Sequence, residues 1–131
     1  MDAALRQFVR TRADNRCEYC RLPQHAVDGV LQIEHIMARQ HGGGDEPENL
    51  ALACDQCNLH KGPNLSAVDP DSSQVVQLFD PRRQIWIDHF YCRGAEIAGR
   101  TAVGRATARL LNMNSRFRVK LRAVLMAIGE W

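Results

Sequence analysis

Four of the five cysteines form two pairs with the same short spacing. Cys17 and Cys20 lie in C-E-Y-C, Cys54 and Cys57 lie in C-D-Q-C, and Cys92 stands alone. In a reducing compartment such pairs predict one zinc ion on four thiolates, which closes the tetrahedron and leaves no position for substrate. A disulfide would require export, and a redox motif explains one pair but not two. Cys92 is predicted to be a small packed residue.

Residues that bind metals or phosphates follow the second cysteine pair. A-C-D-Q-C-N-L-H-K-G, residues 53–62, places Asn58 directly after the last cysteine and Lys61 three residues later. The two pairs are separated by 33 residues, more than the roughly 15–20 of a compact zinc ribbon, so we expect further structure between them. That interval contains an acidic residue beside a histidine, a glycine loop and an asparagine: Glu34, His35, 42–44 and Asn49.

Hydrophobic periodicity predicts the elements that hold these residues. A helix over 2–14 leads to the first cysteine pair, and the alternation in L-Q-I-E-H-I, 31–36, predicts a strand with Ile33 facing the core. After a breaker-rich loop, N-L-A-L-A at 49–53 predicts a second strand. A short helix is expected to begin near Asp55 and to end at the following Gly-Pro pair.

The remainder of the chain is predicted to fold back onto this core. Residues 65–83 indicate a surface loop with one strand at V-V-Q-L-F, after which Trp86 and Phe90 are expected to dock onto the core. Two closing helices follow, each with an apolar stripe at helical spacing. The stripes are Val103, Ala106, Leu110 and Met113 in the first helix, and Phe117, Leu121, Val124 and Ile128 in the second.

Length and composition are those of one globular domain over residues 1–131. No apolar run approaches the roughly 20 residues of a membrane span, and the N-terminus has no export-type apolar region, so we expect a cytoplasmic protein without membrane contact. Residues 1–79 hold 7 basic and 11 acidic side chains, a net of −4, whereas 80–131 hold 10 and 4, a net of +6. The basic part suits a phosphate-bearing partner, although a solvated helical face has the same composition.

Taken together, the E-H pair, the glycine loop, N-L and C-x-x-C-N-x-x-K-G resemble the HNH endonuclease family, in its variant stapled by zinc on four cysteines. The resemblance implies an α+β fold with a ββα-metal (His-Me finger) core at residues 10–62, preceded by a helix. The stretch from L-F-D-P-R-R-Q-I-W-I-D-H-F through G-R-T-A-V-G-R-A-T-A-R-L-L, 78–111, also looks like the tails of short bacterial members of this family, and the basic extension at 80–131, with its two closing helices, is expected to pack on the core.

The resemblance also implies roles for single residues. His35 is the general base, Glu34 a ligand of the catalytic metal, and Asn49 the residue that orients the loop and the histidine. The third position of the motif is Asn58 here, which gives H-N-N and leaves the metal with one carboxylate and one amide oxygen. Such hard ligands suit Mg²⁺ or Mn²⁺.

The predicted function is therefore metal-dependent hydrolysis of DNA phosphodiester bonds. The main alternative is a zinc module that binds nucleic acid without cutting it, and a purely structural zinc domain is the third reading. The candidates for phosphate contacts are Arg39, Lys61, Arg105 and Arg109. A position on the solvated surface, without any contact to phosphate, would explain these basic residues equally well. His41 and His60 are assigned no catalytic role.

Overall fold

The computed structural model describes residues 1–131 and contains five α-helices and three two-stranded antiparallel sheets. None of the helices has the length and apolar character needed to cross a bilayer. The helices are α1 (Ala3–Arg12), α2 (Asp55–Lys61), α3 (Trp86–His89), α4 (Ala102–Leu110) and α5 (Arg116–Ala127). The strands are β1 (Gln32–His35), β2 (Leu50–Ala53), β3 (Ser66–Val68), β4 (Val75–Gln77), β5 (Phe90–Arg93) and β6 (Glu96–Gly99).

Strands β1 and β2 form a hairpin that leads directly into α2. They pair antiparallel, with His35 opposite Leu50 and Gln32 opposite Ala53. Every residue of β2 is buried, as its continuous apolar run requires. The predicted order of strand, strand and helix is therefore present, and the α+β class is confirmed.

Both ends of α2 are set by local chemistry. Cys54 caps the first turn, because its sulfur accepts a hydrogen bond from the backbone nitrogen of Cys57. Gly62 follows the last turn with a φ of 51°, a backbone conformation that disfavours side chains. Helix α2 thus begins directly after Cys54 and carries Cys57, the second cysteine of the pair, in its first turn.

The second half of the chain adds two hairpins and packs onto the first half. β3 pairs with β4, and β5 pairs with β6. Phe90 is fully buried, and Trp86 Nε1 donates to the carbonyl of Tyr19 at 2.7 Å, so the predicted docking of this segment is present. One hydrophobic cluster of 19 buried residues includes Val9 near the start of the chain and Leu125 near its end.

Two glycines allow α4 to approach the neighbouring backbone closely. A Cβ at Gly104 would lie 1.9 Å from the carbonyl oxygen of His89, and one at Gly99 would lie 2.2 Å from the nitrogen of Arg105. Thr101 caps the helix by accepting from the Gly104 nitrogen at 3.1 Å. In the predicted stripe of α4 and its following turn, Ala106 and Met113 are buried and Val103 and Leu110 are partly buried against the core.

Helix α5 is rotated by about one residue position, roughly 100°, from the orientation expected from its apolar stripe, of which only Leu121 packs partly against the core. Arg118, Arg122 and Leu125 form its buried face, whereas Phe117 and Val124 are exposed, as is Ile128 just beyond the helix. The two guanidinium groups can be buried because carbonyl oxygens and sulfur atoms accept their hydrogen bonds. Cys92 was also predicted wrongly, since its side chain is exposed rather than packed.

Candidate metal centre and active site

The four paired cysteines converge at one buried point. Their sulfur atoms all lie within 4.8 Å of one another, although 33 residues separate the two pairs. Cys20 Sγ and Cys54 Sγ are 3.6 Å apart, which is too far for a disulfide. The edge of a tetrahedron with Zn–S bonds of about 2.3 Å is about 3.8 Å. The cluster therefore fits a structural zinc ion, as predicted.

Equivalent local turns orient the two cysteine pairs. The backbone nitrogen of Cys20 donates to Cys17 Sγ at 3.4 Å, and that of Cys57 donates to Cys54 Sγ at 3.4 Å. Hydrogen bonds from the neighbouring thiols hold the pKa of Cys54 well below its ordinary value, whereas burial raises the pKa of Cys17 and of Cys57. Hydrogen bonds from the backbone thus orient Cys17 Sγ and Cys54 Sγ within the centre.

Glu34 lies in the interior, on the face of β1 that is turned towards α2. Its side chain is 3 % exposed, and its carboxylate oxygens contact the Tyr19 hydroxyl and, at 3.2 Å, Lys61 Nζ. Burial raises the pKa of Glu34 above its ordinary value, against the opposing effects of Lys61 and Tyr19. The residue is thus a buried carboxylate with a fixed cationic neighbour.

Lys61 is buried as well, with a side chain that is 2 % exposed. Besides Glu34, its ammonium group donates to the carbonyl oxygen of Ile36 at 2.9 Å and to that of His35 at 3.3 Å. The phosphate contact considered for this residue is therefore not supported, because all three donors of the ammonium group point inward. Lys61 instead ties the end of α2 to the end of β1.

Asn58 lies on the same side of α2 as Lys61, one turn earlier. Its Nδ2 donates to Gln32 Oε1 at 2.5 Å. Gln32 is two residues before Glu34 and therefore shares its face of β1. The structure therefore places Asn58 beside Gln32 rather than beside Glu34, its expected fellow metal ligand, and Lys61 contacts the Glu34 carboxylate instead.

His35 projects from the other face of β1 and reaches solvent. Its Nε2 lies 2.7 Å from Asp45 Oδ1, and the imidazole is 21 % exposed. The hydrogen bond with His35 lowers the pKa of Asp45 below its ordinary value, and Arg39 acts in the same direction from 2.8 Å. His35 is therefore an accessible imidazole whose orientation is fixed by a carboxylate.

Asn49 holds the glycine loop between the two strands. Its Oδ1 accepts from the Met37 nitrogen at 2.8 Å, while its Nδ2 donates to the Met37 carbonyl at 3.0 Å and to the Gly44 carbonyl at 2.9 Å. A Cβ at Gly43 would lie 1.8 Å from the Met37 carbonyl oxygen, so only glycine fits there. These contacts tie Asn49 to Met37 before the glycine loop and to Gly44 within it.

Comparison with known protein families supports the interpretation of this geometry. Residues 17–64 match the family model described as HNH endonuclease. Below, we call this matched segment the HNH domain. Comparisons with curated proteins and with solved structures gave no match. The matched segment of the HNH domain contains both cysteine pairs and all four residues of the predicted motif: Glu34, His35, Asn49 and Asn58.

The candidate arginines beyond the HNH domain differ in their surroundings. Arg105 makes two hydrogen bonds of 2.9 Å to the buried Asp69 carboxylate, which anchors the loop before β4 to α4. Arg105 is thus engaged within the protein, contrary to the phosphate role considered for it. Arg109, one turn later on α4, is exposed.

Three side chains of the HNH domain that contact the predicted site were not identified from the sequence. They are Tyr19 and Gln32, which contact Glu34 and Asn58, and Asp45, which contacts His35. Asp45 carried a usable signal, because an acidic residue directly after a glycine loop is well placed to face the histidine before that loop. Tyr19 carried no such signal, since it lies between Cys17 and Cys20. The sequence pattern there indicates a zinc site and nothing about Glu34.

Proposed function

We propose that the protein is a metal-dependent endonuclease that hydrolyses DNA phosphodiester bonds, with His35 as general base. The pairing of His35 with Asp45 carries this proposal. An ionised carboxylate only accepts hydrogen bonds, so in the neutral imidazole Nε2 of His35 holds the proton and Nδ1 keeps its lone pair. An accessible imidazole held in this tautomer is suited to take a proton from the attacking water.

Glu34 and Asn58 are the proposed ligands of the catalytic metal, which we expect to be Mg²⁺ or Mn²⁺. The donor types suit such an ion, because a carboxylate and an amide oxygen are hard ligands, and one Glu34 oxygen would exchange its present contact for the ion. Asn58 donates to Gln32 through Nδ2, which leaves Oδ1 for a cation. The bound metal would neutralise phosphate charge and stabilise the leaving oxygen. Glu34 would share its carboxylate between this ion and Lys61.

Exposed basic side chains would supply the contacts to the DNA backbone. Arg39 lies beside Asp45, and its side chain is 68 % exposed. It would therefore lie close to a phosphate bound near His35. Arg109 is exposed on α4, in the extension with a net charge of +6. We infer that the core at 10–62 and the extension at 80–131 act as one domain, because one hydrophobic cluster joins them.

Plasmid nicking tests this function directly. We expect cleavage in Mg²⁺ or Mn²⁺ and none after removal of the loosely bound divalent ion. His35→Ala should lower the single-turnover rate about 10²- to 10⁴-fold while leaving zinc content and DNA affinity in place. His25→Ala is the matched control, because His25 is an exposed histidine that pairs with Glu130 and not with the site.

Two results would contradict the proposal in different ways. Unchanged cleavage by the His35→Ala variant would remove His35 from the role of base. DNA binding by the wild-type protein without any metal-dependent cleavage would favour a non-catalytic zinc module that binds nucleic acid.

A further inference from the structure

A buried guanidinium group lies against the cysteine cluster. Arg118 of α5 is 1 % exposed, and its Nη1 lies 3.1 Å from Cys57 Sγ and 3.9 Å from Cys54 Sγ. Its Nη2 donates to the carbonyl oxygens of Leu111 and Asn112. The chain thus delivers a positive charge to the sulfur atoms from a helix that lies 61 residues beyond Cys57.

The charges of the two partners are complementary. Four thiolates around one Zn²⁺ carry a net charge of −2, and burial of an uncompensated charge is costly. Arginine stays protonated in proteins, and Arg118 forms no ion pair with a carboxylate. The sulfur atoms are therefore the anionic groups that can offset its charge.

Arg122 offers an internal comparison one turn later on α5. It is fully buried too, but it donates to the carbonyls of Ala95 and Met113 and to Asn114 Oδ1, with no bond to sulfur. Its Nη1 has no partner. A general need for arginine on the buried face of this helix would apply to both residues, whereas a direct hydrogen bond to the zinc-site sulfur atoms is made by Arg118 alone.

We propose that Arg118 is a positioning residue of the zinc centre, donating to the Cys57 and Cys54 thiolates and slowing the loss of zinc. By the same contact, metal binding favours the docking of α5 on the HNH domain. This inference requires the structural zinc only and does not depend on nuclease activity.

The rate of zinc transfer to a chromogenic chelator tests the proposal in the full-length protein. Substitution of groups that orient metal ligands typically lowers metal affinity about 10- to 100-fold. We therefore expect Arg118→Met to release zinc at least about tenfold faster than wild type. Arg122→Met, which removes an equally buried guanidinium, should release it at close to the wild-type rate.

A second pair of variants covers the case in which the methionine variants do not fold. Both charges are kept in Arg118→Lys and Arg122→Lys, and both variants lose a planar guanidinium group. Only the guanidinium of Arg118 contacts sulfur and carbonyl oxygen together, so only Arg118→Lys loses a contact to the zinc site. Zinc release should accelerate in Arg118→Lys and stay unchanged in Arg122→Lys. In Co²⁺-substituted protein, the sulfur-to-metal charge-transfer bands should shift for Arg118→Lys only. Equal release rates and equal spectra within this pair would overturn the proposal.

Discussion

Strand β1 carries two neighbouring side chains in contrasting surroundings. On one face, Glu34 is 3 % exposed and contacts the Tyr19 hydroxyl and the Lys61 ammonium group. On the other face, His35 is 21 % exposed and contacts Asp45. Adjacent positions in a strand point to opposite sides, so the chain separates the two groups without any intervening residue.

This difference matches the two tasks proposed for the pair. A metal ligand benefits from a fixed position, whereas a base must reach the water that it activates. Because the two side chains differ in burial, substitutions of Glu34 and of His35 should affect different properties of the protein. Changes on the Glu34 face should affect the stability of the fold, and changes on the His35 face should affect cleavage while the fold remains intact.

The largest expected effect is that of Glu34→Ala on stability. The substitution leaves the Lys61 ammonium group buried without its carboxylate, and breaking a buried pair in this way costs about 3–5 kcal/mol. Chemical denaturation of Glu34→Ala beside His35→Ala would measure the contrast. Adding Lys61→Met should restore much of the stability of Glu34→Ala. If both single variants unfold at the same denaturant concentration, the two faces do not differ as described.

A smaller effect is expected from Asp45→Asn on the other face. The variant keeps the shape of the side chain but removes the charge that orients and stabilises the imidazole. Because this carboxylate is partly exposed, we expect a loss of about ten- to a hundredfold in single-turnover cleavage, less than for His35→Ala. His25→Ala is again the control, since His25 is an exposed side chain that pairs with Glu130 and contacts neither Asp45 nor His35. Equal rates for wild type and Asp45→Asn would argue against orientation by Asp45.

The smallest expected effect is a pair of opposite pH dependences of folding stability. The folded-state pKa of Asp45 is lowered, so its contribution is present above its ordinary value of 3.8 and is lost as the pH falls. The folded-state pKa of Glu34 is raised, so its contribution is present below its ordinary value of 4.5 and is lost as the pH rises. Relative to wild type, Asp45→Asn should therefore lose its disadvantage as the pH falls, whereas Glu34→Gln, which resembles the protonated carboxyl group, should become relatively less stable as the pH falls.

Unfolding curves of both variants between pH 3 and 7, without added divalent metal, would measure these slopes. Slopes of the same sign would show that the two carboxyl groups share one kind of environment.

Short-range spacing was sufficient to predict the core of the HNH domain. The cysteine spacing predicted the metal cluster, and alternation followed by a continuous apolar run predicted β1 and β2. Contacts over longer range were not accessible in this way. Lys61 reaches Glu34 rather than solvent because α2 ends beside β1, a relation that no periodicity in either segment reveals.

The prediction for α5 was wrong for a related physical reason. An apolar stripe indicates the buried face only when burial of apolar area decides the orientation of the helix. Here Arg118 and Arg122 find acceptors on distant segments, namely the sulfur of Cys57 and the carbonyl of Ala95. Those acceptors lie beside α5 only in the folded chain. The apolar pattern of α5 alone therefore predicted the wrong face.

The position of Arg118 in the chain also has a consequence for protein synthesis. Cys57 precedes Arg118 by 61 residues, and a ribosome that adds about 5–20 residues per second needs about 3–12 s to make that stretch. During this time a nascent chain already contains all four cysteines but not the helix that covers Cys57. We therefore expect metal to enter most easily during translation, and the contact of α5 with Cys57 to slow its exchange in the finished protein.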